Sequence, residues 1–141
     1  LTGELIGRLH PSRERAPLPG VALHADTSAL TAVANDYGYD QIFARQVQAI
    51  GRPGDVLVVL STSGASANLV AAVDAATELD IVSVGLLGGG RRALHERCSH
   101  VIAVPSDDVQ TIQECHLVLV HQLVEVVEDA LGVGSQEPSG R

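Results

Sequence analysis

The stretch Asp55-Val-Leu-Val-Val-Leu60-Ser61-Thr-Ser-Gly-Ala-Ser66 determines which fold the sequence predicts. Its first half is a continuous apolar run rich in β-branched residues, typical of a strand buried on both faces of a sheet. Its second half is a polar loop, and residues 69–76 then form an apolar stripe at helical spacing. A buried strand, a hydroxyl-rich loop and an amphipathic helix in this order predict one βα unit of a parallel sheet.

The rest of the chain continues this alternation of strands and helices. Three further strands are predicted, at residues 20–25, 80–86 and 100–104. Helices are predicted at residues 27–35, 40–50, 93–98 and 108–131. The fold class is therefore α/β, with a parallel sheet that has helices on both faces. Ligands of such sheets bind beyond the carboxyl ends of the strands, so the loops that follow the strands are the candidate sites.

The composition excludes several classes of protein. The 141 residues suffice for about one domain, and the 45% that are hydrophobic suffice for a core. The formal net charge of −8 argues against nucleic acid and against a membrane surface as partners. All 9 basic residues are Arg, which excludes Schiff-base chemistry and a P-loop lysine. The 2 Cys, without a secretory signal, fit a cytoplasmic setting.

The loop after the second predicted strand has the residues that an anion site needs. Backbone N–H groups at a helix start point outward and the helix dipole favours negative charge there. The hydroxyls of Ser61, Thr62, Ser63 and Ser66 add donors, and Gly64 lets the backbone approach a ligand closely. These features predict a phosphate cradle. The alternative, a serine-rich loop that merely caps the helix, stays open.

The last helix is predicted to begin with the capping pair Asp107 and Gln110. Residues 117–127 are apolar nearly all round, which indicates burial on more than one side. In a chain of this size we expect such a helix to be shared with neighbouring subunits. Residues 132–141 are predicted to be a disordered tail after Gly132.

Several motifs in order along the chain resemble those of the phosphoheptose isomerases, which are sugar isomerase (SIS) domain proteins. They are residues 26–39, 43–46, 51–55, 61–64 and 112–116, followed by His121. The resemblance extends from Leu1 to about Leu131. It implies a flavodoxin-like, three-layer SIS domain over residues 1–131.

The resemblance also implies an activity and its residues. The reaction is the conversion of D-sedoheptulose 7-phosphate to D-glycero-D-manno-heptose 7-phosphate through an enediol, by a cytoplasmic homotetramer that in some members binds zinc. Substrate-binding residues by resemblance are Asn35, Asp36, Ser61, Thr62, Ser63, Ser66 and Gln113. His121 matches the catalytic histidine, and Gln113 and His121 match metal ligands.

The sequence departs from the family pattern in two places. Ala65 stands where relatives commonly have Asn. Relatives also have a strand, a glycine-rich loop and a helix with a His and the catalytic Glu, all of which would precede Leu1. We therefore expect an SIS domain that lacks its N-terminal part, and a chain that, by itself, binds sugar phosphate at best. Gln113 and His121 are eight residues apart, roughly 12 Å along a helix, so we expect weak zinc binding or none.

Alternative interpretations remain for the histidines and for the function. If His121 has only a structural role, we expect its side chain to pair with Glu125, one helical turn later. His116, five residues before His121, is expected at the surface or at an interface, whereas His24, His95 and His100 are expected to be structural. The alternative functions are a non-catalytic SIS protein that binds sugar phosphate or associates with a replication initiator, and a sugar-phosphate sensor domain.

Overall fold

The computed structural model describes residues 1–133, so the predicted tail at residues 134–141 lies outside the described residues. The chain divides into two compact units, one of Leu23–His116 and one of Leu1–Ala22 with Leu117–Arg141. The helices are α1 (Thr2–Ile6), α2 (Thr27–Tyr37), α3 (Ala44–Ile50), α4 (Ala67–Glu78), α5 (Ala93–Arg97) and α6 (Val109–Ala130), with a 3₁₀ helix at Tyr39–Gln41. The strands are β1 (Val56–Ser61), β2 (Val82–Gly88) and β3 (His100–Val104).

The sheet lies in the Leu23–His116 unit and is parallel, in the order β1-β2-β3. Val56 pairs with Val82, and Val84 pairs with His100. The prediction of a strand at residues 20–25 is wrong, because residues 23–25 form a turn that leads into the helix capped by Asp26. The prolines at positions 17 and 19 precede that stretch and lack the N–H groups that a ladder needs.

Two apolar clusters hold helices against one face of the sheet. One joins α3 to α4 and consists of Ala44, Val47, Ala72, Ala75, Ala76 and Ile81. The other consists of Val59, Val73, Leu87 and Leu94 and joins α4 and α5 to the strands. Alanines on the shared faces of α4 let the neighbouring helix and the sheet approach closely. These clusters fix the start of α4 at the carboxyl end of β1.

The opposite face of the sheet is approached by the first part of α6, up to His116, which belongs to the same unit as the sheet. Successive strand residues point to opposite faces, so Gly88 points away from the cluster that contains Leu87. A Cβ at Gly88 would lie 3.0 Å from Cδ1 of Ile112, a buried residue of α6. The predicted α/β class with helices on both faces is therefore confirmed. Val56, Leu60, Val82 and Ile102 on this second face remain exposed.

The second unit is held by a buried ion pair. Nε of Arg15 donates to Oε1 of Glu128 at 2.5 Å, and both side chains are 1% exposed. The same guanidinium donates to the carbonyl oxygens of Leu5 and Glu4, which lie in α1. Arg15 thus links α1 to the later part of α6 within this unit.

The ends of α6 differ from the prediction. Oδ2 of Asp108 accepts the N–H of Thr111 at 2.7 Å, so Asp108 occupies the capping position predicted for Asp107. After the helix, the N–H of Val133 donates to the carbonyl of Glu128 at 3.1 Å, so the first residues of the predicted tail form an ordered turn. Within residues 1–133, none of the helices combines the length and the apolar character that crossing a membrane would require.

Candidate functional site

The hydroxyl-rich loop lies where β1 ends and α4 begins. Ser61 is the last residue of β1 and is buried, and Gly64 has a φ of +65°, a left-handed conformation that favours glycine. Ser66 is the N-cap residue of α4, but its hydroxyl makes no capping hydrogen bond. The Ser66 hydroxyl therefore does not cap α4, as the alternative interpretation of the serine-rich loop would have required.

Two of the serines shape the loop by accepting backbone hydrogen bonds. Oγ of Ser61 accepts the N–H of Gly64 at 3.0 Å, and Oγ of Ser63 accepts the N–H of Ala65 at 3.3 Å. A hydroxyl that accepts one bond still has its own hydrogen to donate. The two Oγ atoms also lie 3.5 Å apart, so one hydroxyl can donate to the other while the second keeps its hydrogen for a ligand.

Unpaired donors converge at the start of α4. The first hydrogen bonds of the helix run from Leu69 and Val70 to the carbonyl of Ser66. In the described chain the N–H groups of Ser66, Ala67 and Asn68 have no partner. Three free N–H groups at one helix end, next to hydroxyl groups, form an arrangement that binds an anion such as phosphate.

The loop is supported from the side by the start of α5. The N–H of Leu94 donates to the carbonyl of Gly64 at 3.0 Å, and a Cβ at Gly64 would lie 2.9 Å from Cε1 of His95. Nδ1 of His95 accepts the N–H of Arg92, so Nε2 carries the hydrogen and donates to the carbonyl of Gly88 at 3.0 Å. His95 is structural, as predicted, and it fixes the position of Gly64.

Asn35 and Asp36 lie at the end of α2 and are exposed. Nδ2 of Asn35 donates to Oδ1 of Asp36 at 2.8 Å. The two polar side chains are thus already oriented by each other, and each retains free oxygen atoms that face solvent. Their predicted contact with substrate stays a prediction.

Gln113 lies in the first part of α6, beside the loop. The neighbouring residue Ile112 packs over Gly88, and a Cβ at Gly88 would also lie 2.2 Å from the carbonyl oxygen of Thr62. Gln113 itself is exposed and has no hydrogen bond in the described chain. The Leu23–His116 unit thus contains all seven predicted substrate-binding residues, whereas His121 belongs to the other unit.

The histidines of α6 differ from the expectations drawn from spacing. His116 is 4% exposed, so the expectation of a surface position is wrong, and its Nε2 is buried without a partner. The structural alternative for His121 is also not observed, because Glu125 contacts His10 at 3.7 Å and Gln122 at 3.4 Å. His121 is partly exposed and has no hydrogen-bond partner among residues 1–133.

The described residues do not form a zinc site by themselves. Gln113 and His121 are the two ligands that the resemblance suggested, and zinc sites in proteins have three or four protein ligands. Among residues 1–133 no group of three or more His, Cys, Asp or Glu side chains is placed to hold a metal. The donors among the described residues therefore fall short of a zinc site, and weak or absent zinc binding stays a prediction.

Two residues near the loop were missed by the sequence reasoning as site residues. Asn68 is 9% exposed and lies two residues after Ser66. The Cβ of Arg92 would lie 3.4 Å from a Cβ added to Gly64, so Arg92 is next to the loop. The guanidinium of Arg92 has no acidic partner in the described chain. No local pattern distinguishes Asn68, since its burial depends on the packing of α3 against α4.

The fold and the loop define the class of the protein. The model of the SIS domain family matches residues 2–88. The polar loop between β1 and α4 and the helix start with free N–H groups lie within the matched residues. The chain is thus an SIS-domain α/β protein.

Comparison with individual proteins then identifies the family within that class. A phosphoheptose isomerase of Rhodospirillum rubrum is 54% identical over 93% of this chain and 69% of its own length. One from Maridesulfovibrio salexigens is 44% identical over 98% of this chain and 67% of its own. The structure of a phosphoheptose isomerase from Francisella tularensis matches with a TM-score of 0.85 and 40% identity, over 91% of this chain and 68% of that one. The chain belongs to the phosphoheptose isomerase family, whose members are phosphosugar isomerases.

Proposed function

We propose that this chain supplies the sugar-phosphate site of an isomerase that converts D-sedoheptulose 7-phosphate to D-glycero-D-manno-heptose 7-phosphate in heptose biosynthesis. The observation that carries the proposal is the set of unpartnered N–H groups of Ser66, Ala67 and Asn68 at the start of α4. A phosphate monoester has acceptor oxygens in the number and geometry that such a helix start satisfies. The relatives are phosphoheptose isomerases, so the class of sugar in this proposal is a heptose phosphate.

The phosphate is held mainly by hydrogen bonds in this proposal. The loop that leads to these N–H groups also has four hydroxyl groups, those of Ser61, Thr62, Ser63 and Ser66. Each hydrogen bond to a charged group contributes about 1.5–3 kcal/mol, so three or four suffice for micromolar to millimolar binding without lysine. Exposed charges farther than about 8 Å from the phosphate are largely screened at physiological salt, so the net charge of −8 does not prevent binding.

The chemical step moves a proton between two neighbouring carbon atoms of the sugar. It requires an acid and a base that act on the enediol, and groups that polarise the carbonyl. We propose His121 as one proton-transfer group and Asn35, Asp36 and Gln113 as contacts to the sugar. In the family that the chain resembles, the second proton-transfer group is a Glu. The isomerase proposal therefore applies to a protein that includes this Glu.

Zinc binding by these residues is proposed to be weak at most. Gln113 and His121 offer two ligands, and the donors needed to complete a site are lacking among the described residues. Titration of the metal-free chain with zinc, followed by calorimetry, tests this point. Submicromolar binding that His121→Ala abolishes would contradict it.

We further propose a cytoplasmic homotetramer. Leu117, Val118 and Val126 on α6 are 59%, 61% and 63% exposed, which is costly for apolar side chains on one helix and is relieved by burial against other subunits. Light scattering coupled to size-exclusion chromatography measures the mass of the assembly. We expect four times the chain mass, and a Leu117→Glu variant should reduce it.

A coupled assay with sedoheptulose 7-phosphate, together with calorimetric binding of the same compound, tests the function. We expect binding that Ser63→Ala weakens by about 1–3 kcal/mol, because one hydrogen bond to the phosphate is lost. For a protein that includes the upstream Glu, we expect turnover that His121→Ala abolishes. Full turnover of His121→Ala would remove the catalytic assignment. Binding without turnover by that protein would favour the alternative, a non-catalytic SIS protein that binds sugar phosphate or associates with a replication initiator.

A further inference from the structure

A stacking contact at the carboxyl end of α2 has no part in the function proposed above. Cζ of Arg45 lies 3.8 Å from the centroid of the Tyr37 ring. A guanidinium over an aromatic face is attracted by the negative face of the ring and stacks on it. Tyr37 is the last residue of α2 and Arg45 is the second residue of α3, so this stacked pair joins the two helices.

The stack is what orients the Arg45 side chain. Among residues 1–133 the guanidinium forms neither a hydrogen bond nor an ion pair. Asp40 offers a carboxylate in the segment between the two helices, but it is not paired with Arg45. Holding a long exposed side chain in one place costs conformational entropy, and in the described chain the ring of Tyr37 provides the attraction that offsets it.

The two helices differ in how firmly the core holds them. Ala44 and Val47 of α3 are buried in the apolar cluster that includes α4. By contrast, none of residues 27–37, which form α2, is buried in the described chain. An element with few buried apolar contacts moves more readily than one anchored in a core. The carboxyl end of α2 therefore depends on its connection to α3 for a fixed position.

The backbone between the two helices leaves room for such movement. Gly38 ends α2 with a φ of +88°, and the 3₁₀ helix Tyr39–Gln41 follows. The N–H of Ile42 donates to the carbonyl of Tyr39 at 3.4 Å, which is long for a hydrogen bond of this kind. Glycine has more accessible backbone conformations than any other residue, so a change at Gly38 would swing the end of α2. The stacked pair bridges this segment and restricts that swing.

The residues that would swing are those proposed to contact the sugar. Asp36 directly precedes Tyr37, and Nδ2 of Asn35 donates to Oδ1 of Asp36 at 2.8 Å. Because this hydrogen bond joins the two side chains, they change direction together with the last turn of α2. Asn35 and Asp36 are called the amide–carboxylate pair below.

We propose that both residues of the stacked pair are positioning residues, which hold the amide–carboxylate pair in the direction in which it contacts the sugar. This role rests on the function proposed above, in which the loop before α4 binds the phosphate. The stack acts on the sugar end of the substrate, so its loss leaves the phosphate contacts in place. The effect is therefore specific for a sugar phosphate over phosphate alone.

Calorimetric titration with sedoheptulose 7-phosphate and, separately, with inorganic phosphate tests this role. Tyr37→Leu and Arg45→Met each remove the stack and should weaken sugar-phosphate binding about two- to fivefold, the size of an exposed contact of this type. The affinity for inorganic phosphate should not change. Tyr37→Phe keeps the ring and should restore the affinity of the unmodified chain. Arg52→Met removes an exposed arginine that stacks on no ring in the described chain, and serves as the matched control.

A double-variant comparison shows whether the stack acts through Asp36. Once Asp36→Ala has removed a member of the amide–carboxylate pair, Arg45→Met should cause little further loss of sugar-phosphate affinity, because the group that it positions is gone. Fully additive losses would show that Arg45 acts by another route and would overturn the proposal. The same holds if Arg45→Met weakens both ligands equally, or if it lowers the melting temperature and leaves both affinities unchanged.

The outcomes also separate this role from the function on which it rests. If the unmodified chain binds neither ligand, both proposals are wrong. If it binds both ligands and neither Tyr37→Leu nor Arg45→Met changes the ratio of the two affinities, the positioning role is wrong and the phosphate loop stands. If Tyr37→Leu fails to fold, Arg45→Met decides, since it alters an exposed side chain of a helix anchored by other residues.

Discussion

Replacing Glu128 with Gln removes the carboxylate that neutralises the buried guanidinium of Arg15. Both side chains are 1% exposed, and the Nε–Oε1 distance is 2.5 Å. Breaking such a pair by removing one partner leaves an uncompensated charge away from water, which costs about 3–5 kcal/mol. We expect Glu128→Gln to lower the free energy of unfolding by an amount in this range, although the new side chain has nearly the same shape.

An exposed ion pair provides the control for this prediction. Arg97 donates to Asp74 at 2.6 Å, but their side chains are 49% and 46% exposed. Exposed pairs contribute about 0–1 kcal/mol, so Asp74→Asn should change the unfolding free energy by no more than that. Urea denaturation followed by circular dichroism measures both variants under one condition.

A comparison of single and double variants tests the reasoning behind the magnitude. Replacing both members of the pair, as in Arg15→Met with Glu128→Leu, removes the buried charges together and should cost less than Glu128→Gln alone. Arg15 also donates to the carbonyls of Leu5 and Glu4, so the double variant still loses the bonds that secure α1. If Glu128→Gln costs no more than Asp74→Asn, the pair is not a determinant of stability and the argument from burial is refuted.

Three further outcomes follow from the same structure. Arg92→Ala should weaken phosphate binding and reduce its dependence on salt, since it removes a positive charge from a residue whose Cβ lies next to Gly64; calorimetry at two sodium chloride concentrations checks this, and an unchanged affinity would contradict it. Burial raises the pKa of the Cys98 thiol, so Cys98 should react with iodoacetamide more slowly at pH 8 than Cys115, as measured by peptide mass spectrometry; equal rates would oppose this. Hydrogen bonds from Thr111 lower the pKa of Asp108, so the stabilisation by this cap is present at neutral pH and is lost as the pH falls through the lowered pKa. The urea midpoints of Asp108→Ala and the unmodified chain should therefore differ at pH 7 and converge in acid, and a constant difference would argue against the cap.

The central βα unit could be predicted from the sequence because its signals are local. A continuous apolar run, a loop of hydroxyl residues and a helical stripe each depend on neighbouring residues, and β1, the loop and α4 lie where these signals placed them. The strand predicted at residues 20–25 failed because strand formation depends on a partner strand. In the described chain that stretch has none, and the sheet has three strands.

The burial of His116 and Asn68 could not be predicted for a related reason. Spacing along α6 placed His116 away from His121, but it does not show which side of the helix faces the sheet. Ile112, one turn earlier, packs over Gly88, and His116 lies on that same side and is 4% exposed. Asn68 is buried because α3 lies against α4, an arrangement made by residues more than 20 positions apart in the chain.

The local signals and the tertiary packing act together at the start of α4. The sequence of the loop supplies donors, but a serine-rich loop is flexible unless its turn is held, and an anion site whose donors must first be ordered loses affinity. In this chain Ser61 fixes the N–H of Gly64, and the first turn of α5 fixes the carbonyl of Gly64. The free N–H groups of α4 are therefore oriented before any ligand arrives. In the function proposed above, this preorganisation lets a chain with a net charge of −8 and no lysine bind a dianion, because the attraction comes from fixed donors at short range.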